Sequence, residues 1–160
     1  MNPVEFRQSK SKRKLSMITC YDASFGALVE KSPIDSVLVG DSSAMVMQGY
    51  SDTLKSNLDS ICLFTESVSR SVKSKLIVAD MPFMSFRKGI EYGAEAAERL
   101  MKAGAHAVKI EGVEGHADLI EHLVKSGIPV MGHLGLTPQS VFELGGYKVQ
   151  GREEKAAERM

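Results

Sequence analysis

Val37-Leu38-Val39-Gly40-Asp41 is one of three short apolar runs that end in an acidic residue, the others being Leu76-Ile77-Val78-Ala79-Asp80 and Ala107-Val108-Lys109-Ile110-Glu111. Bounded runs rich in Val and Ile read as strands buried on both faces, the pattern of a parallel sheet. Proteins built this way place their chemistry at the carboxyl ends of the strands. Three carboxylates gathered there suit a hard divalent cation, which prefers oxygen ligands. Any single Asp or Glu in such a place could instead cap the turn that follows. Repetition at three strand ends favours one shared site.

Outward from these runs, strand-like segments near 15–20, 36–40, 75–79, 106–111 and 128–132 alternate with stretches of helical spacing, so βα units repeat along the chain. The 90–103 stretch puts Ile90, Ala94, Ala97, Leu100 and Met101 on one stripe and stops at Gly104; the 114–126 stretch stops at Gly127. After Leu134 comes a long loop with Gly135, Gly145, Gly146 and Gly151. Within it, Thr137-Pro138-Gln139-Ser140 predicts a short helix start, with Thr137 as N-cap and Pro at the first helical position. Glu153 to Met160 reads as the start of another helix.

A (β/α)₈ barrel takes about 250 residues, and this 160-residue chain supplies five strands. A doubly wound sheet is the alternative, but no GxGxxG follows the first strand. The expectation is an α/β protein of the (β/α)₈ TIM-barrel type with about five βα units, residues 1–160 being the N-terminal portion of one barrel domain. Five strands leave two unpaired edges, so the chain alone should associate or aggregate.

Charge narrows the partners. Lys plus Arg equals Asp plus Glu at 20 each, so no net field draws nucleic acid or an anionic membrane. The Lys10-Ser11-Lys12-Arg13-Lys14 cluster reads as the solvated end of an N-terminal helix. Cys20 and Cys62 lack CxxC spacing, no apolar signal segment follows Met1, and no apolar run approaches the roughly 20 residues that span a bilayer. A reducing cytoplasm fits these features.

Several separated motifs, in order, resemble one family: Gly40-Asp41-Ser42, Lys109-Ile110-Glu111-Gly112, Gly132-His133-Leu134-Gly135-Leu136-Thr137-Pro138-Gln139-Ser140 and Gly145-Gly146-Tyr147-Lys148-Val149-Gln150-Gly151-Arg152. From about Met17 onward the chain resembles the ketopantoate hydroxymethyltransferases. That resemblance implies a (β/α)₈ barrel that transfers a hydroxymethyl group from 5,10-methylenetetrahydrofolate to 3-methyl-2-oxobutanoate. The product is 2-dehydropantoate, on the route to pantothenate and coenzyme A. It also implies one Mg²⁺ per subunit and a ring-based homo-oligomer, commonly a decamer.

Carried onto this sequence, the resemblance makes Asp41 and Asp80 the magnesium ligands, with Glu111 close behind through water. It makes Asp41, Ser42, Asp80, Lys109 and His133 the substrate-binding set. The chemistry is coherent, because deprotonating carbon beside a ketone needs a Lewis acid that polarises the carbonyl and holds the enolate. Ser42 would hydrogen-bond the substrate carboxylate, although a Ser after Asp in a tight turn is also a common structural device. Lys109 lies two residues before Glu111, so both side chains share one face of a strand. Its ammonium can neutralise substrate charge, and flanking carboxylates keep it protonated, which argues against a Schiff-base role. His133 closes the fifth strand between Gly132 and Gly135, which leave room for a ligand; His106, His116 and His122 have no comparable setting.

Two stretches depart from the family pattern: Ser43-Ala44 stands where members more often have Leu-Gly, and Thr53-Leu54-Lys55-Ser56 where they usually have Thr-Leu-Pro-Val. The family's proton acceptor is a glutamate ending the next strand, which residues 1–160 do not contain, so no catalytic base is assigned. Two other readings stand beside the transferase. One is a metal-dependent 2-oxo acid lyase of the phosphoenolpyruvate-type barrels, disfavoured by the GGYKVQGR stretch; the other is a non-catalytic oxo-acid-binding or assembly fragment.

Overall fold

The computed structural model describes residues 1–158 and Met160. The apolar runs form five parallel strands: β1 (Met17–Thr19), β2 (Ser36–Val39), β3 (Leu76–Asp80), β4 (Ala107–Glu111) and β5 (Val130–His133). Their order across the sheet is their order in sequence. A doubly wound sheet reverses its strand order at a switch point, and this one has no reversal. Consecutive parallel neighbours, with helices between, make a segment of barrel wall.

Outside the wall run α2 (Ala23–Glu30), α4 (Leu58–Ser71), α5 (Ile90–Lys102) and α6 (Ala117–Lys125); α1 (Pro3–Gln8), the single turn α3 (Ser43–Val46) and α7 (Glu154–Glu158) complete the helices among the described residues. Side chains alternate along each strand. Val37, Val39, Ile77, Ala79, Val108 and Ile110 therefore pack outward against Val29 of α2, Ile61 and Val68 of α4, Leu100 of α5, and Leu119 and Leu123 of α6. Leu76, Val78 and Ala107 point the other way and meet Leu38, Met131, Met1 and Phe6, so α1 lies across the inner face at its amino end. Asp80 continues the inner row of Leu76 and Val78, Lys109 and Glu111 that of Ala107, and His133 that of Met131. The sheet thus carries apolar side chains at one end of its inner face and ionisable ones at the other.

Beside α1, a hollow of about 720 Å³ lies against Phe6, Leu76, Ala107, Ile128 and Met131. Its lining is mainly apolar and holds none of the strand-end carboxylates. Among the described residues no helix is long and apolar enough to cross a membrane.

Four local expectations are corrected. On α5 the buried stripe is Gly93, Ala96, Ala97 and Leu100, while Ile90 is 37% exposed. Small residues face inward there because α5 and α6 approach closely: a Cβ on Gly93 would lie 2.4 Å from Leu119 Cδ2. Gly104 does end the segment, at φ +108 and with only 2.5 Å to Ser69 for any Cβ. The 114–126 helix begins later, at Ala117, because Gly115 at φ +80 belongs to the preceding turn. The basic cluster follows α1 rather than ending it, since Ser11 turns left-handed at φ 64 and Arg13 reaches Asp35 at 2.5 Å. Thr137 precedes a 3-10 turn (Pro138–Ser140) but gives it no side-chain cap; that turn is held by Gln139.

Candidate active site

Each strand delivers its acid by ending. Past Val39 the chain turns at Gly40 and α3 begins, so Asp41 lies at the mouth of β2, 3% exposed. A Cβ at Gly40 would stand 2.8 Å from Ser42 Oγ and 3.5 Å from both Asp80 Oδ2 and Tyr21 Oη. Glycine is what lets these groups close up. Asp80 Oδ2 accepts from the Asp41 backbone N–H at 2.9 Å, which locks the ends of β2 and β3 together. Asp80 Oδ1 forms a 2.6 Å ion pair with Lys109 Nζ, and the same ammonium is 3.6 Å from Glu111 Oε1.

His133 Nδ1 is 3.1 Å from Glu111 Oε1 and 3.4 Å from Lys109 Nζ. One Nδ1 cannot both donate to Glu111 and accept from the Lys109 ammonium. The shorter contact, to a carboxylate, is the charge-assisted one, and with Nδ1–H donating to Glu111 a neutral ring keeps its lone pair on Nε2. Ser42 N-caps α3 without a side-chain hydrogen bond to it; its hydroxyl instead meets Tyr21 Oη at 2.8 Å. All six expected residues, Asp41, Ser42, Asp80, Lys109, Glu111 and His133, are thus brought to one end of the wall.

Two participants were not anticipated from sequence. Tyr21 follows β1 and is 8% exposed. Gln139, 7% exposed, donates its backbone N–H to Glu111 Oε2 at 2.9 Å, and its side-chain Nε2 to Asp41 Oδ2 at 2.8 Å and to Met81 O at 3.0 Å. Its Oε1 is buried with no donor, a state that costs roughly 1–3 kcal/mol. The available signal for both was position, a polar residue just past a strand end.

With all three acids ionised, Lys109 balances one charge and two negative charges remain buried. The strain appears in their protonation. Burial first, then Asp80, with Glu111 a smaller contributor, push Asp41 up to about 7 despite its bond from Gln139. Burial also raises Asp80, opposed by Lys109. Burial works against the Lys109 charge, but Asp80 and Glu111 outweigh it and hold the ammonium above its ordinary value. For Glu111, burial is outweighed by the bonds from His133 and Gln139 and by Lys109, so its carboxyl sits below its usual range.

The two negative charges that full ionisation would leave buried are what a divalent cation relieves, and among the described residues the side-chain hydrogen bond to Asp41 falls on Oδ2, leaving Oδ1 without a donor. Among the described residues no three His, Cys, Asp or Glu side chains form a ready-made metal cage. Magnesium does not need one: it holds one or two carboxylates and fills its octahedron with water and substrate oxygens. Beside the cluster, a cavity of about 320 Å³ lined by Phe83, Phe86, Arg87 and Phe142 reaches Glu111 and Gln139.

Consecutive parallel strands with acidic residues and a lysine at their carboxyl ends define the class as an α/β barrel wall, a fold that places its chemistry at that end. The ketopantoate hydroxymethyltransferase family model matches residues 2–160, and the chain belongs to that family. Two curated relatives are named 3-methyl-2-oxobutanoate hydroxymethyltransferase. The one from Bdellovibrio bacteriovorus is 56% identical, over 98% of this chain and 60% of its own length. That from Coxiella burnetii is 49% identical, over 100% and 61%. The chain therefore spans about 60% of the length of these relatives. In fold it is similar to a crystal structure of phosphonopyruvate hydrolase in complex with oxalate and Mg²⁺, with TM-score 0.68 and 11% identity over 91% of this chain and 56% of that one.

Proposed function

We propose that this chain carries the metal- and oxo-acid-binding part of an enzyme that transfers a hydroxymethyl group from 5,10-methylenetetrahydrofolate to 3-methyl-2-oxobutanoate, giving 2-dehydropantoate. The observation that carries the reading is the buried excess of carboxylate at the strand ends, Asp41, Asp80 and Glu111 around the single ammonium of Lys109. A Mg²⁺ ion held by Asp41 and Asp80, with Glu111 reached through water, would supply the Lewis acidity that polarises the ketone of a chelating 2-oxo acid.

The chain's own residues have separable parts. Lys109, kept protonated by Asp80, offsets the negative charge that the substrate brings and the charge that develops as carbon 3 loses its proton. It is poorly suited to attack a ketone in that state. The Ser42 hydroxyl, tied to Tyr21 rather than to α3, is available to the substrate carboxylate. His133 is oriented through Nδ1 by Glu111 and is 33% exposed along its side chain, so Nε2 remains for substrate. The carbon 3 proton is left to a base outside this cluster, in keeping with the family resemblance. Cytoplasmic residence and homo-oligomeric assembly belong to the same proposal, supported by the free Cys20 and Cys62 and by the exposed Phe25 and Leu28 on α2.

The test is NMR of 3-methyl-2-oxobutanoate with the chain in D₂O, with and without Mg²⁺, reading binding and carbon 3 deuterium exchange together. Magnesium-dependent binding, lost in Asp80→Asn, is expected, with little exchange. Exchange would place a base within reach of these residues. No magnesium-dependent binding would overturn the proposal.

A further inference from the structure

Gln139 comes from the loop after β5, 98 residues from Asp41 in sequence, yet it touches two of the three acids at once. Its backbone N–H holds Glu111 Oε2 and its carboxamide holds Asp41 Oδ2. The carboxamide cannot be flipped, because Nε2 faces two acceptors, Asp41 Oδ2 and Met81 O. With Oδ2 tied to Gln139, the oxygen of Asp41 left open is Oδ1. Gln139 therefore decides which oxygen of Asp41 is offered. Its own Oε1 stays buried without a donor.

Gln139 spends one amide proton on Asp41 and the other on the Met81 carbonyl, and leaves its own acceptor buried and unsatisfied, which costs the fold rather than stabilising it. A leucine of similar volume would remove the orphaned Oε1 but take the donor away from Asp41 Oδ2 and Met81 O, so what glutamine supplies at this place is the donor to Asp41. We propose that Gln139 is a positioning residue for the cation site: it fixes the Asp41 carboxylate in the rotamer that presents Oδ1, and ties the 134–152 loop to the cluster so that loop and site are ordered together. The inference rests on the cation reading given above. Outer partners that orient metal-binding carboxylates typically carry 10–100-fold of metal affinity.

Mn²⁺ serves as the probe, its affinity for the whole chain measured by electron paramagnetic resonance, which requires no turnover. Gln139→Leu should weaken Mn²⁺ binding about 10–100-fold. The same substitution in an Asp41→Asn background should have little further effect, because the two residues act through one another. A purely structural Gln139 would give the same loss in both backgrounds, or none, and either result overturns the proposal. If the wild-type chain binds no Mn²⁺, the cation reading itself falls, which is a different outcome from unchanged affinity in Gln139→Leu. A measurement on the wild-type chain covers failure of the variant to fold: saturating Mg²⁺ should shift the Gln139 side-chain NH₂ resonances, and unmoved resonances count against the role.

Discussion

The two ends of the same five strands differ in what they do with burial. At the amino end the inner face carries Leu76, Val78 and Ala107 under Met1 and Phe6, a contact that any well-fitting apolar side chains could make. At the carboxyl end, Asp80, Lys109 and Glu111 are 2%, 8% and 3% exposed and depend on one another for every charge they keep. Removing a group at the first end costs its contact area. Removing one at the second leaves its partners uncompensated. One backbone pattern thus holds a forgiving end and an intolerant one, separated by about the length of a strand.

The largest effect is expected from Lys109→Met. Deleting one member of a buried ionic group typically costs about 3–5 kcal/mol, and urea unfolding of the metal-free chain should read a loss of that order. A loss below about 1 kcal/mol would mean that the cluster is effectively solvated. Saturating Mg²⁺ should recover part of the loss, since a cation can replace the missing ammonium.

Next comes the pH dependence of the same end. Asp41 is pushed from 3.8 to about 7, so its neutral form stabilises the metal-free fold below pH about 4, and that stabilisation is lost as pH rises through 7. Relative to Asp41→Asn, the wild-type chain should lose on the order of 2–4 kcal/mol between pH 4 and 8. Parallel pH profiles of the two proteins would contradict the charge excess.

At the other end, Phe6→Ala removes a partly buried ring. Full burial of such a ring is worth about 3–5 kcal/mol, so roughly 1–2 kcal/mol is expected here, with Mn²⁺ affinity unchanged. A change in affinity would show that the two ends are coupled. The smallest effect is at His106, whose Nδ1 accepts from the Ile77 backbone N–H at 3.1 Å. Burial and then the N-terminal ammonium lower its pKa, so the neutral ring stabilises the fold above the ordinary histidine value and that contribution fades as pH falls. Its sign is opposite to that of Asp41. His106→Gln should flatten the acid limb of the melting curve slightly, and an unchanged limb would remove His106 from the account.

Much of this was legible in sequence because it is local. Runs such as Leu76-Ile77-Val78-Ala79-Asp80 state their strand, their double burial and their terminal acid in five residues, and period-2 alternation put Lys109 and Glu111 on one face. The stripe of α5 was misjudged at Ile90, because helical spacing ranks residues by hydrophobicity whereas the contact with Leu119 selects for smallness at Gly93 and Ala96. Local pattern makes Gln139 only part of a turn, since nothing nearby in the chain announces that its amide ends beside Asp41.

The strands, their parallel class, the family and the acids can all be read from the chain in one dimension, because each follows from short-range pattern or from motifs in order. Which oxygens face which donors is set in three dimensions: Asp80 is shared between the Asp41 backbone and Lys109, Ser42 turns to Tyr21, and Gln139 closes over Asp41 and Glu111. Those pairings join residues up to 98 positions apart, and they are set by how the strand ends and the loop after β5 meet in space, which no local spacing encodes.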